Sequence, residues 1–162
     1  MWFDAEAVPL ERIADLPHRF ENTALIDATP ERVFRIWAEG EGQAEWFQDF
    51  VACRWTTAHR GVGAEREVQL KALTVKERFL AWEPGKRMTF HIYAITLPLL
   101  TAMVEDMTFE PAGDRATRFH WVVHYRPTTL MRLVHPIARM IFAEMFRATT
   151  ENLARWAKAH PG

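Results

Sequence analysis

The sequence has a single cysteine, Cys53, among its 162 residues. An internal disulfide and a CxxC metal or redox pair are therefore excluded. Charge of one sign is also missing: 20 basic and 21 acidic side chains leave a formal net charge of −1. No nucleic-acid partner is expected, because phosphate binding calls for a clustered basic surplus. No apolar run approaches about 18 residues, so no membrane-spanning helix is expected. The opening Met1-Trp2-Phe3-Asp4-Ala5-Glu6 has neither the basic start nor the apolar stretch of a signal peptide, which makes a cytoplasmic location the expectation. There is no GxSxG, and Gly61-Val62-Gly63 precedes a strand rather than a helix, so it reads as a turn and not a phosphate cradle. No cofactor is expected.

What the chain does contain is bulky apolar residue: seven Trp, eleven Phe and seven Met. With near-zero net charge this excludes intrinsic disorder. One domain is the expectation at this length, large enough to bury roughly 68–70% of its unfolded surface without metal or disulfide support. Residues 1–18, with Pro9 and Pro17, read as an N-terminal extension, and 19–162 as a single domain.

A strand runs from Arg19 to Ile26. Thr29 then reads as a helix N-cap, with Pro30 at the first helical position and Glu31 near the positive end of the dipole. Val33, Phe34 and Trp37 share one face of this short helix, and Glu39-Gly40-Glu41-Gly42 stops it. A second short helix holds Ala44 to Phe47. Six strands follow, separated by glycine, proline or short polar breaks: Val51–Thr56, Ala64–Leu70, Thr74–Trp82, Met88–Ile95, Ala102–Glu110 and Ala116–Arg126. After Pro127 the pattern becomes helical to about Ala159. Leu130, Leu133, Val134, Ile137, Ile141, Met145, Ala148, Asn152 and Trp156 recur there at three- and four-residue spacing.

Antiparallel pairing fixes which residues face each other. A two-residue turn at Lys71-Ala72 sets Val68 opposite Val75, Arg66 opposite Glu77 and Ala64 opposite Phe79. On the other face it joins Glu67 with Lys76 and Glu65 with Arg78, so every charge meets its opposite, which a one-residue slip would destroy. The next turn pairs Ala81 with Met88, Phe79 with Phe90, Glu77 with Ile92 and Val75 with Ala94. The loop at 111–115 pairs Phe109 with Thr117, Met107 with Phe119, Glu105 with Trp121 and Met103 with Val123. One sheet face is thus apolar and aromatic and the other polar, and the long C-terminal helix is the expected cover for the apolar face. Three charges, Arg66, Glu77 and Glu105, fall on that covered face.

This order resembles the helix-grip fold of the START-like (SRPBCC) superfamily, and within it the polyketide cyclase/dehydrase and lipid-transport group. The matching segments are Ile26-Asp27-Ala28-Thr29-Pro30-Glu31-Arg32-Val33-Phe34, Gly61-Val62-Gly63-Ala64-Glu65-Arg66, the stretch from Lys76 to Arg87, and Thr117-Arg118-Phe119-His120-Trp121. The resemblance implies an α+β fold: a seven-stranded curved antiparallel sheet, two short helices after the first strand and a long C-terminal helix. Members often hold a small hydrophobic molecule between sheet and helix. Some are cyclases or hydrolases, many carry or sense lipids and hormones, and some are partners of other proteins. The group shares no catalytic motif, so no catalytic residue is carried over.

The candidate ligand-binding set is Arg66, Glu77, Phe79, Phe90, Ile92, Met103, Glu105, Met107, Phe119 and Trp121. Arg66 and Glu77 fit either an anchor for the polar end of a ligand or a structural ion pair. Glu105 has no assigned cation, and a carboxyl in apolar surroundings has a raised pKa that suits a general acid or base. His120 and His124 share the polar face with no third ligand, so no metal is expected. Leu97-Pro98-Leu99-Leu100 is an apolar loop placed to gate a cavity or to contact a second copy, and Trp46-Phe47 could line the same mouth. The expected partner is a small hydrophobic molecule. The alternatives are a cyclase, dehydratase or hydrolase using Glu105 or Glu77 with Arg66, and a protein-interaction module or homodimer.

Overall fold

The computed structural model describes residues 1–162. In chain order its elements are β1 (Phe3–Asp4), a 3-10 helix (Leu10–Asp15), β2 (His18–Ile26), α1 (Pro30–Glu39), α2 (Gln43–Trp46), β3 (Phe50–Trp55), β4 (Glu65–Leu70), β5 (Thr74–Glu83), β6 (Arg87–Ile95), β7 (Leu100–Pro111), β8 (Thr117–Pro127) and α3 (Thr129–Ala159). The strands form one antiparallel sheet in the order β2-β8-β7-β6-β5-β4-β3, with β1 attached to β6. This is the α+β helix-grip arrangement expected from the sequence. No helix is long and apolar enough to cross a membrane.

Local chemistry sets the helix ends as anticipated. The Thr29 hydroxyl accepts from the Arg32 N–H at 3.3 Å, and Gly40 closes α1 in the left-handed conformation at φ 70°. Val33, Phe34, Ile36 and Trp37 are buried against the sheet. Gly42 also has positive φ, 59°, and a Cβ added there would overlap the Trp156 indole. Gly42→Ala combines backbone strain with that clash. It is expected to lower stability by roughly 1–3 kcal/mol, read as a shifted denaturant midpoint with unchanged slope.

The β4–β5 register is the one the charges dictate, with Arg66 opposite Glu77, Glu67 opposite Lys76 and Glu65 opposite Arg78. Two pairings further along differ. Register shifts between Lys76 and Glu77, and between Phe79 and Ala81, put Val75 opposite Ile95 and Trp82 opposite Met88, while Phe79–Phe90 and Glu77–Ile92 hold. In the β7–β8 hairpin, Glu105 faces Val123, Met107 faces Trp121 and Phe109 faces Phe119. This is a displacement of two residues from the expected pairing. Because side chains alternate with period two, the displacement moves partners along the strand and leaves every residue on its assigned face.

The outer face is not uniformly polar. Residues 1–18 lie across it: Val8, Ile13 and Leu16 bury Ala102 and Val104 in a second small core. Here β1 takes the edge of β6 where β6 and β7 part, with Phe3 opposite Ile95 and the Ala5 N–H bonded to the Tyr93 carbonyl. His91, assigned to that face, is buried, and burial lowers its pKa.

The inner face divides into two ends. Under α1 and α2 it is packed with rings: Trp37 meets Trp46 and Trp121 edge-on at centroid separations of 4.9 and 5.1 Å. Each such pair adds about 0.5–1.5 kcal/mol beyond its area. The other end is roofed by the first half of α3, and here the expected helix face shifts. Leu130, Leu133, Val134, Ile137 and Ile141 are exposed, whereas Met131, Phe146, Thr149, Thr150, Leu153 and Ala157 form the buried line. In the first half of α3 apolar residues lie on both sides of the stripe Arg132, His135 and Arg139, so three- and four-residue spacing fits two different faces.

Candidate functional site

Where α3 roofs the sheet, the inner face leaves an apolar cleft of about 70 Å³, a space that admits a few waters. Its walls come from β4, β5 and the turn between them (Val68, Leu70, Leu73, Val75), β6 and β7 (Ile92, Ile95, Met103), the loop before β7 (Leu99) and the inner side of α3 (Met131, Phe142, Met145). Of the candidates from the sequence, Glu77, Ile92, Met103 and Glu105 line this cleft. Phe79, Phe90, Met107, Phe119 and Trp121 do not; they are fully buried in the packed core, with Trp121 directly behind the lining residues Glu105 and Phe146. Phe47 reaches the cleft wall, whereas Trp46 is packed into the core.

Glu77 and Glu105 stand on the floor, whereas Arg66 does not line the cleft and lies behind Glu77, so the charges beneath it are unbalanced. Arg66 Nε donates to Glu77 Oε2 at 2.5 Å, and the two side chains are only 3% and 6% exposed. The guanidinium lies 5.0 Å from the Phe79 ring centroid and 5.2 Å from that of Phe90. Its far side reaches a second hollow, between α1–α2 and β3, beside Cys53. Burial works most strongly against the Arg66 charge, and only the combined pull of Glu77, through charge and hydrogen bond, with Cys53 and Glu105 outweighs it. Glu105 sits on β7, where its Oε2 accepts from Trp121 Nε1 at 3.0 Å. Trp121 reaches it diagonally, since the residue directly opposite is Val123.

One guanidinium therefore faces two carboxyls, and the cluster is neutral only with one proton added. Burial, then the charge of Glu77, pushes Glu105 up to about 8, against the opposing Trp121 hydrogen bond and Arg66 charge. Glu77 is pushed up by burial too, but Arg66 opposes this through both charge and a direct hydrogen bond. The proton thus belongs to Glu105, the carboxyl without a bonded cation. A protonated Glu105 accepts from Trp121 and keeps one O–H to offer the cleft.

A second polar group stands at the cleft edge, and the sequence pattern does not reveal it. The Tyr125 hydroxyl lies 2.8 Å from His135 Nε2, and Arg139 Nη1 donates to the same hydroxyl at 2.9 Å. Arg139 Nη2 also donates to the Arg19 carbonyl at 3.0 Å, which ties α3 to β2. His18 stands 4.5 Å from His135, ring to ring, and burial lowers its pKa. Tyr125 is legible by parity, two residues beyond Val123 on the apolar face. His135 and Arg139 are hidden because the apolar spacing of α3 points a different face inward. Two chemistries meet in one apolar space: a neutral carboxyl donor on the floor, and a phenol–imidazole–guanidinium set at the rim.

Residues 17–158 match the family described as polyketide cyclase / dehydrase and lipid transport. The uncharacterized protein Rv2574 of Mycobacterium tuberculosis is 27% identical over 161 residues, covering 97% of this chain and 95% of that one. Among solved structures, the Zhui aromatase/cyclase from Streptomyces sp. R1128 superposes with a TM-score of 0.76 at 11% identity, covering 87% of this chain and 93% of that one. The protein TTHA0849 from Thermus thermophilus gives a TM-score of 0.73 at 18% identity, covering 90% of this chain and all of its own (100%). At these identities the structural likeness shows a common fold.

Proposed function

The chain belongs to the polyketide cyclase / dehydrase and lipid transport family, and from that premise we propose that it binds a small hydrophobic molecule, lipid-like or aromatic and polyketide-like, between the sheet and α3. The observation that carries this reading is the placement of Glu105, a buried carboxyl without a bonded cation on the floor of a mostly apolar cleft. A purely structural core has no use for such a group, since burying a carboxyl without a full set of partners is unfavourable. A ligand carbonyl or hydroxyl gives its O–H a partner. The rim set Tyr125, His135 and Arg139 suits a phenolic or anionic substituent on the same molecule. The cleft must widen to admit it. Met103, Met131 and Met145, which line the space, are the side chains best able to change rotamer.

Native mass spectrometry and thermal shift against lipid and polyketide panels test this. At least one apolar compound is expected to bind the parent chain. Glu105→Leu, which removes the donor but keeps the bulk, is expected to bind it about five- to tenfold more weakly. Binding by no compound would remove the reading.

A second reading rests on the same residue. With its proton held until about pH 8, Glu105 is suited to acid–base catalysis near neutrality, with Arg66 holding Glu77 as the charged neighbour. A cyclase or dehydratase of this kind loses turnover on Glu105→Gln while still binding its substrate. Turnover equal to the parent would take Glu105 out of the mechanism. A homodimer through the 97–100 loop is the remaining alternative, read directly by light scattering.

A further inference from the structure

Half of the protein's exposed large apolar side chains sit on one stretch of α3. Leu130, Leu133, Val134, Ile137, Met140 and Ile141 are between 51% and 82% exposed. Their three- and four-residue spacing puts them on the outward side of the helix over about 17 Å. Arg132, His135 and Arg139 take the opposite side, and from Thr129 to Ala143 the chain has no acidic residue. The outward side of this half-helix therefore carries no charge. Soluble monomers seldom expose contiguous apolar patches beyond about 300–600 Å². Six side chains at these exposures reach on the order of 600 Å² or more, close to the ~800 Å² that each partner gives a standard interface.

The shape beside this face suits a second copy. Between α3 and the β4–β5 turn lies a groove of about 570 Å³ whose walls include Leu73, Leu97, Met140, Ile141 and Ala148. The face is thus a ridge towards the start of α3 and a groove further along it. A two-fold axis near Ile137 matches the two. The α3 helices of the copies run antiparallel, Ile137 meets its own counterpart, and Leu130 and Leu133 of each chain enter the groove of the other. Around the groove the charges are already paired: Arg147 bonds Glu144 at 2.6 Å and Glu151 at 2.5 Å, and Lys71 lies 3.4 Å from Asp49. An apolar centre inside a polar rim is the anatomy of a subunit interface. A lipid surface calls for a basic surplus at the rim, and here three acids stand against two bases.

We propose that the outward face of the first half of α3, with the groove beside it, is an isologous interface between two copies of this chain. The interface stands on this surface alone and needs no ligand in the cleft. Because Leu73, Leu99 and Met145 line both the groove and the cleft, the second copy also backs the outer wall of the cleft.

Sedimentation velocity on the intact chain tests this. At about 100 µM the parent is expected to run as a dimer, at twice the 18.9 kDa of one chain, and to dissociate reversibly on dilution. Leu133→Glu and Ile137→Glu change exposed residues. Each is expected to keep the parent's circular dichroism spectrum while weakening the dimer at least about a hundredfold, since the two-fold axis brings the new charges together. Leu25→Glu, at a residue 64% exposed on β2, is expected to leave the dimer intact. A parent that stays monomeric at this concentration overturns the interface, and if that monomer pellets with phosphatidylcholine–phosphatidylglycerol vesicles the face belongs to a membrane surface instead. A dimer that survives both α3 variants, or yields only to Leu97→Glu, is built on another surface and overturns it too.

Discussion

Arg66→Leu is expected to destabilise the protein by about 3–5 kcal/mol, among the largest effects of any single substitution in the chain. The reason is the unequal charge count on the sheet's inner face. Arg66 and Glu77 are both buried and bonded to each other, and Glu105 lies beside them. Removing the guanidinium leaves Glu77 as an uncompensated carboxylate among Phe79, Phe90 and Ile92, next to a second carboxyl. The folded protein must then protonate both acids. The double replacement Arg66→Leu, Glu77→Leu removes both charges of the pair. It is expected to recover most of the loss, because a buried ion pair is worth little against apolar side chains of similar volume. Urea unfolding of the parent, the single and the double variant reads this directly. A single variant within about 0.5 kcal/mol of the parent would mean that water reaches the pair and solvates it.

Glu105→Gln is expected to change how stability depends on pH. In the folded chain the Glu105 carboxyl is held at about 8, against 4.5 for the free group. The native state therefore keeps a proton that the unfolded chain releases. That stabilising contribution is complete below about pH 4.5, falls as pH rises, and is gone once pH passes about 8. At roughly 1.4 kcal/mol for each pH unit between the two values, the whole span reaches about 3–5 kcal/mol. Glutamine carries no proton to lose, so the variant should gain on the parent steadily from mildly acidic to mildly alkaline pH and level off above. Comparing the two cancels the contributions of His18, His91 and His124, whose pKa values burial lowers and which are present in both proteins. Parallel stability curves would show that Glu105 is ionised and solvated in the folded state.

Much of this fold is readable because its signals are local or have period two. The Thr29-Pro30 start of α1, the turn at Lys71-Ala72 and the alternating charges of β4 and β5 each fix a structural element within a few residues of itself. The same alternation places Arg66, Glu77 and Glu105 on the inner face, and that holds even where bulges or hairpin length move the pairing along the strand. Three features are not legible. The face of α3 is ambiguous because its first half is apolar on both sides, and this hides His135 and Arg139. The cover that Val8, Ile13 and Leu16 place on the outer face is a long-range contact with no periodic signature. The division of the inner face into a packed end and an open end depends on how far α1 and α2 reach across it. Identical Phe and Met residues on either side of that line look the same in sequence.

The seven methionines make the central claim directly measurable. Met103, Met131 and Met145 line the cleft, whereas Met88 and Met107 are fully buried away from it. Methyl NMR on the methionine-labelled protein, titrated with a naphthol, reports on all of them at once. If the cleft under α3 is the binding site, the Met103, Met131 and Met145 methyls shift together and saturably while Met88 and Met107 stay in place. Saturable binding that leaves those three unmoved, or that shifts Met88 and Met107 instead, would contradict it.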